Sequence, residues 1–144
     1  MTRQKRSTFD APAQLEKQLH ALQIDNDGCR FNGVLCSYCG AIASEIDHIP
    51  PWSIRTKLYK LGVTFDTVEI PSCGECNRAL SDSPLFTLFA RKQRIKAYLR
   101  HKYHGLLQIP YWSEDHLKEE APALRHYILH GIALRDFIRE RLDF

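Results

Sequence analysis

Apolar positions along this chain change their period several times, and each change marks an element. Leu15, Leu19 and Leu22 recur at helical spacing behind Asp10 as cap and Pro12 in the first turn. They predict a helix over 10–28, closed by the turn residues Asp25-Asn26-Asp27-Gly28. Ahead of it, residues 1–9 hold Arg3, Lys5 and Arg6 with little apolar content and read as a basic tail. Alternation over 41–48 predicts a short strand stopped by Pro50-Pro51, and Val63, Phe65, Val68 and Ile70 predict a returning strand over 63–70 ended by Pro71. Residues 52–62 between them read as a loop or short helix carrying Arg55, Lys57 and Lys60, and a further helix is expected over 73–80. Ser83 as cap and Pro84 at the first helical position then open one long helix to about residue 107, with Leu85, Leu88, Ile95 and Leu99 near one face. Ser113-Glu114-Asp115 caps a short helix with acids where the helix dipole favours them. Pro122 starts the last helix, whose apolar content is Leu124, Tyr127, Ile128, Leu134, Ile138 and Leu142. The sum is an α+β chain of 144 residues, mostly helical and long enough for one domain with one modest core.

Charge alters this picture in one segment. The net charge is only +3, yet no Asp or Glu occurs from Ser83 to Ser113, where Arg91, Lys92, Arg94, Lys96, Arg100 and Lys102 all fall. After Ser113 the balance reverses. Two readings stay open for the basic stretch, a solvated helix face or a surface for the phosphates of a nucleic acid. His101 and His104 extend that face without the spacing of a ligand pair, while Tyr98, Tyr103, Tyr111 and Trp112 read as core. No apolar run approaches a membrane span and the N-terminus lacks an apolar signal core, so the expected setting is cytoplasmic, in a bacterial or phage-infected cell.

The chemistry concentrates between residues 36 and 77. Cys36-Ser37-Tyr38-Cys39 and Cys73-Gly74-Glu75-Cys76 are two matched Cys-x-x-Cys pairs, the ligand set of a closed structural zinc site. A redox role is the rival reading, but redox motifs come singly on a thioredoxin-like unit. Cys29 is left over and reads as a small buried residue. The acids at 25–28 do not make a calcium loop, because Cys36 stands where its bidentate Glu should be. Between the pairs lies Glu45-Ile46-Asp47-His48-Ile49-Pro50-Pro51, and Asn77 follows the last cysteine. An imidazole can take the proton of an attacking water, and a carboxylate with an amide oxygen suits magnesium. Glu45 and Asp66 have two readings, extra carboxylates near the metal or ordinary solvated strand charges, and the second is favoured for both.

Cys-x-x-Cys, an Asp-His-Ile-x-Pro-like segment and Cys-x-x-Cys-Asn, in this order, resemble the zinc-bearing, phage-type branch of the HNH (His-Me finger) endonucleases, including phage enzymes that resolve branched DNA. The resemblance covers residues 36–80 and implies a treble-clef-like ββα-metal unit with structural zinc over 34–80, ahead of a helical part over 81–144. It implies His48 as general base, Asp47 and Asn77 as ligands of a catalytic Mg²⁺ for which Mn²⁺ can substitute, and products with 5′-phosphate and 3′-hydroxyl ends. The family's middle asparagine is missing from the returning strand, where Thr67 is the expected stand-in. DNA is the expected partner, with Arg55, Lys57, Arg78, Arg91, Lys92, Arg94, Lys96, Arg100 and Lys102 as its contacts, and a homodimer is expected if the substrate is a junction. The alternatives are a junction resolvase of the same chemistry, a non-catalytic zinc module that binds nucleic acid, and an interaction domain using the helical tail.

Overall fold

The structure, a computed structural model, describes residues 33–144, so the expected basic tail, the helix over 10–28 and Cys29 lie outside the described residues. A knuckle comes first. Leu35 bridges Ile42, the Cys36 amide donates to the Ala41 carbonyl, and Gly40 turns the chain at φ +71°. Strand β1 (Glu45–Ile49) then pairs antiparallel with β2 (Val68–Ser72), Asp47 opposite Ile70 and His48 opposite Glu69. Pro71, expected to end the second strand, lies inside it opposite Ile46. In a two-stranded sheet every strand is an edge, so proline's missing N–H costs no ladder bond, while its carbonyl accepts from the Ser37 amide of the knuckle.

The second strand begins five residues later than its apolar pattern suggests. Helix α1 (Trp52–Lys60) occupies the loop between the strands, and the chain beyond it folds back: the Val63 amide donates to the Leu58 carbonyl, and Phe65 meets the Tyr59 ring edge-on. Those residues close the helix end instead of extending the sheet. Helix α2 (Gly74–Leu80) starts at Cys73, whose Sγ accepts from the Cys76 amide. A sulfur that caps a helix is thereby aimed at the same point as its partner cysteine.

The single long helix expected over 84–107 is shorter and broken. Helix α3 (Leu88–Lys102) begins at Thr87, whose hydroxyl accepts from the Ala90 amide, and after Tyr103 a short turn α4 (His104–Leu107) follows. The late start traces to Arg91, a residue of the expected basic face that is 0% exposed. Its Nη1 takes the carbonyls of Leu85 and Ser83, wrapping the segment before the helix around the guanidinium. Helix α5 (Glu114–Glu119) is capped by Ser113, and α6 (Pro122–Asp143) starts at Pro122, both as the sequence predicts.

The four cysteines are part of the core, packed with Tyr38, Ile49, Ile70, Leu80, Ile95 and Leu99. Ile128, Leu134 and Ile138 of α6 are buried as expected, whereas Leu88, Leu124 and Tyr127 are exposed and Tyr111 is 83% exposed, against their expected place in the core. Three arginines take interior positions instead: Arg91, Arg135 and Arg141. Arg135 donates to the Ile109 and Pro110 carbonyls and so holds the chain before α5 against α6. Buried guanidinium groups persist only with their donors satisfied, and each of these three joins segments distant in sequence. Among the described residues no helix is long and apolar enough to cross a membrane.

Candidate functional site

The knuckle and the first turn of α2 bring Cys36, Cys39, Cys73 and Cys76 together, all buried, their four Sγ atoms within 4.8 Å of one another. A tetrahedral shell with metal–sulfur bonds of about 2.3 Å places its sulfurs about 3.8 Å apart. Cys39 and Cys73 are 3.8 Å apart. The donor set therefore fits a metal ion, and four buried sulfurs within 4.8 Å of one another are consistent with zinc. The thiols bias one another through hydrogen bonds: the bond from Cys39 is the main cause that lowers Cys36 to about 7, and the bond to Cys36 is the first cause that pushes Cys76 up. Metal loading requires thiolates and so releases protons.

Around this cluster stand groups that the cysteine spacing alone does not announce. Arg141, near the end of α6, directs Nε and Nη2 to Cys39 Sγ, each at 3.3 Å, with Nη2 also 3.9 Å from Cys73 Sγ. Its Nη1 donates to Glu75 Oε2 at 2.6 Å. Glu75 also accepts from Lys102 Nζ and the Tyr103 hydroxyl. Burial works against the Glu75 carboxylate, yet Lys102, Arg141 and Tyr103 hold its pKa below the ordinary value. Burial and then the bond to Glu75 push Tyr103 up to about 12, keeping it a hydroxyl donor.

His48 lies on β1 with its ring half-buried, 5.7 Å from the Trp52 ring and with Nε2 3.6 Å from Glu69 Oε1 across the hairpin. Glu69 is the β2 side chain beside the histidine. Thr67, the expected stand-in for the orienting asparagine, is exposed and sits just before the strand. Asn77 donates from Nδ2 to Glu45 Oε2 at 2.6 Å, which fixes its amide and leaves Oδ1 as the end turned from that carboxylate. Glu45 is thus not a free solvated charge; Asn77 holds it, and Arg78 lies 3.9 Å away. His48, Asn77, Trp52, Arg78 and Asp82 line one open cavity of about 420 Å³.

Asp47 lines the same cavity but is committed inward. Arg91 Nε and Nη2 donate to both its oxygens at 2.7–3.0 Å, and the Tyr38 hydroxyl donates to Oδ2. Burial, reinforced by that bond, raises Tyr38 above the ordinary phenol range, so it remains a donor. An arginine-paired carboxylate is not an open magnesium ligand, and among the described residues the four cysteines are the only group of three or more His, Cys, Asp or Glu placed to hold a metal. The expected Asp47–Asn77 pair does not fit a resident magnesium as these side chains stand.

No family model, curated protein or solved structure matches the chain.

The expected nucleic-acid contacts divide by environment. Arg91 is interior and is removed from that set. Lys92 lies over the Phe144 ring and bonds its carbonyl, and Lys102 is paired with Glu75. Arg55 stacks on Trp52 at 4.1 Å, Lys57 and Arg78 are exposed, and Arg94 and Arg100 are exposed on α3 with Lys96 half-buried. Tyr38, Glu69, Glu75 and Arg141 are the site's additions. Tyr38 and Glu75 lie inside the two Cys-x-x-Cys pairs, while Glu69 and Arg141 are joined to the site by tertiary contacts.

Proposed function

We propose that this chain is a nucleic-acid phosphodiester hydrolase of the HNH (His-Me finger) type, an endonuclease acting on DNA. In this reading the knuckle, hairpin and α2 form its treble-clef-like ββα unit, the cysteine-bound metal is zinc and purely structural, and His48 is the general base. One observation carries the reading: the His48 imidazole and the Asn77 amide share an open cavity directly beside a closed four-cysteine site. A metal with four sulfur ligands has no open position for substrate, so the chemistry falls to the neighbouring polar groups.

His48 takes the proton of a water in the cavity as that water's oxygen attacks phosphorus; the P–O3′ bond breaks and the departing 3′ oxygen takes a proton from solvent, leaving 5′-phosphate and 3′-hydroxyl ends. Glu69 Oε1 stands 3.6 Å from Nε2 across the hairpin. Arg78 at the rim and the exposed cations Lys57, Arg94 and Arg100 attract the phosphate backbone. Because Arg91 holds Asp47, no step here runs through a magnesium ion.

The test is cleavage of linear, supercoiled and branched DNA by zinc-loaded protein, with and without magnesium, beside His48→Ala. Cleavage by the parent and none by the variant supports the reading. A second reading, a non-catalytic zinc module that binds nucleic acid, is favoured by the captured Asp47. DNA binding without cleavage of any of these substrates, in either metal condition, would decide for it.

A further inference from the structure

The last turn of α6 closes on the metal knuckle at three points. Arg141 is 2% exposed, and the partners of its fork are Cys39, Cys73 and Glu75. Phe144 lies against Gly40, where an added Cβ would stand 2.6 Å from the ring. Gly40 has φ +71°, so both its backbone and its missing side chain are used by this contact. Lys92 then covers the other side, over the Phe144 ring at 4.5 Å.

A divalent ion with four thiolates carries a net negative charge inside the core, and burying such a charge is costly unless it is paired. Among the described residues the cation that bonds these sulfurs is Arg141, reaching Cys39 from 102 residues away with both Nε and Nη2. A neutral thiol is a weak acceptor, whereas a metal-bound thiolate is a strong one. The guanidinium is therefore best satisfied only when the metal is present.

We propose that Arg141 is an outer-shell partner of the cysteine-bound metal, donating two hydrogen bonds to the Cys39 thiolate, and that through it the metal latches α6 to the knuckle. Outer-shell donors lower the electron density on a ligating sulfur and hold it in place, which slows both protonation and exchange. Metal retention and docking of the last helix then support each other. This inference does not depend on the hydrolase reading, since it concerns only the metal and the C-terminal helix.

Zinc-loaded full-length parent, Arg141→Leu, Arg141→Lys and Glu75→Gln are compared for transfer of zinc to a chromogenic chelator, and the cobalt-substituted proteins for their sulfur-to-cobalt charge-transfer band. Arg141→Leu should hold zinc about 10- to 100-fold less tightly and give it up faster to the chelator. Its cobalt band should move to longer wavelength, because sulfur freed of two hydrogen bonds gives up charge more easily. Arg141→Lys keeps the charge with one point-like donor and should shift both readouts less, in the same direction. It carries the test if the leucine variant fails to fold. Glu75→Gln leaves the bonds to Cys39 in place, so its band should stay at the parent's position. Unchanged zinc transfer and an unmoved band in the arginine variants would overturn the proposal. So would a band shift in Glu75→Gln equal to that of the arginine variants, since the effect would then come from packing alone.

Discussion

Replacing Arg91 with Ala separates two accounts of the basic segment. Arg91 is 0% exposed, donates through Nε and Nη2 to a carboxylate that is itself buried, and takes two backbone carbonyls with Nη1. Solvent does not screen this pair, so the discount that applies to surface ion pairs does not apply here. Removing one partner leaves the Asp47 charge uncompensated with only Tyr38 as donor, at a cost of about 3–5 kcal/mol. The total stability of a domain this size is about 5–15 kcal/mol, so the variant should unfold at a much lower denaturant concentration. Combining Arg91→Met with Asp47→Asn removes the uncompensated charge, and this double variant should recover part of the loss. Equilibrium urea unfolding at fixed zinc measures the stability, and a salt titration of DNA binding measures the alternative. A phosphate contact on the surface predicts near-parental stability and a salt slope smaller by about one. That pair of results from Arg91→Ala would refute the interior assignment.

Three further outcomes are expected. Cys39→Ser or Cys76→Ser should lose the metal and unfold residues 34–80, since binding at such a site contributes about 10 kcal/mol or more to folding, and metal analysis with circular dichroism reads both losses. His48→Ala should lower cleavage about a hundred- to ten-thousand-fold while metal content and DNA affinity stay near the parent's, because the imidazole acts on a proton that moves only in the transition state. Glu75 has its folded pKa lowered, so its contribution is present above the unfolded carboxylate value and is lost as pH falls through the lowered one. Glu75→Gln should accordingly be less stable than the parent at neutral pH, and the gap measured in metal-saturated protein should close below the ordinary carboxylate range; a gap independent of pH would contradict the assigned network.

Much of the site is local and was legible for that reason. Each Cys-x-x-Cys pair lies within one tight turn, so spacing alone fixes which sulfurs converge, and the buried cluster agrees. Ser113 and Pro122 mark their helix starts because capping and proline at the first turn depend only on neighbouring residues. His48 and Asn77 lie on a strand and a helix start, and both line one cavity. The boundaries that moved did so through contacts with other segments. The stretch 63–67 was drawn to the end of α1, and residues 83–87 were drawn around Arg91.

What the sequence determined by itself was the α+β order of elements and the convergence of the four cysteines, because period, turn chemistry and ligand spacing act over a few residues. What only the tertiary structure decided was the fate of each charge. Asp47 is an open ligand or a buried anchor depending on a guanidinium 44 residues away, and Cys39 gains its donor from 102 residues away. Side chains of like charge in one basic run become an interior strut at Arg91, a partner of a carboxylate at Lys102 and an exposed cation at Arg94. A charge is worth little in water and a great deal when desolvated, and desolvation is set by the segments packed around it, which no local pattern records.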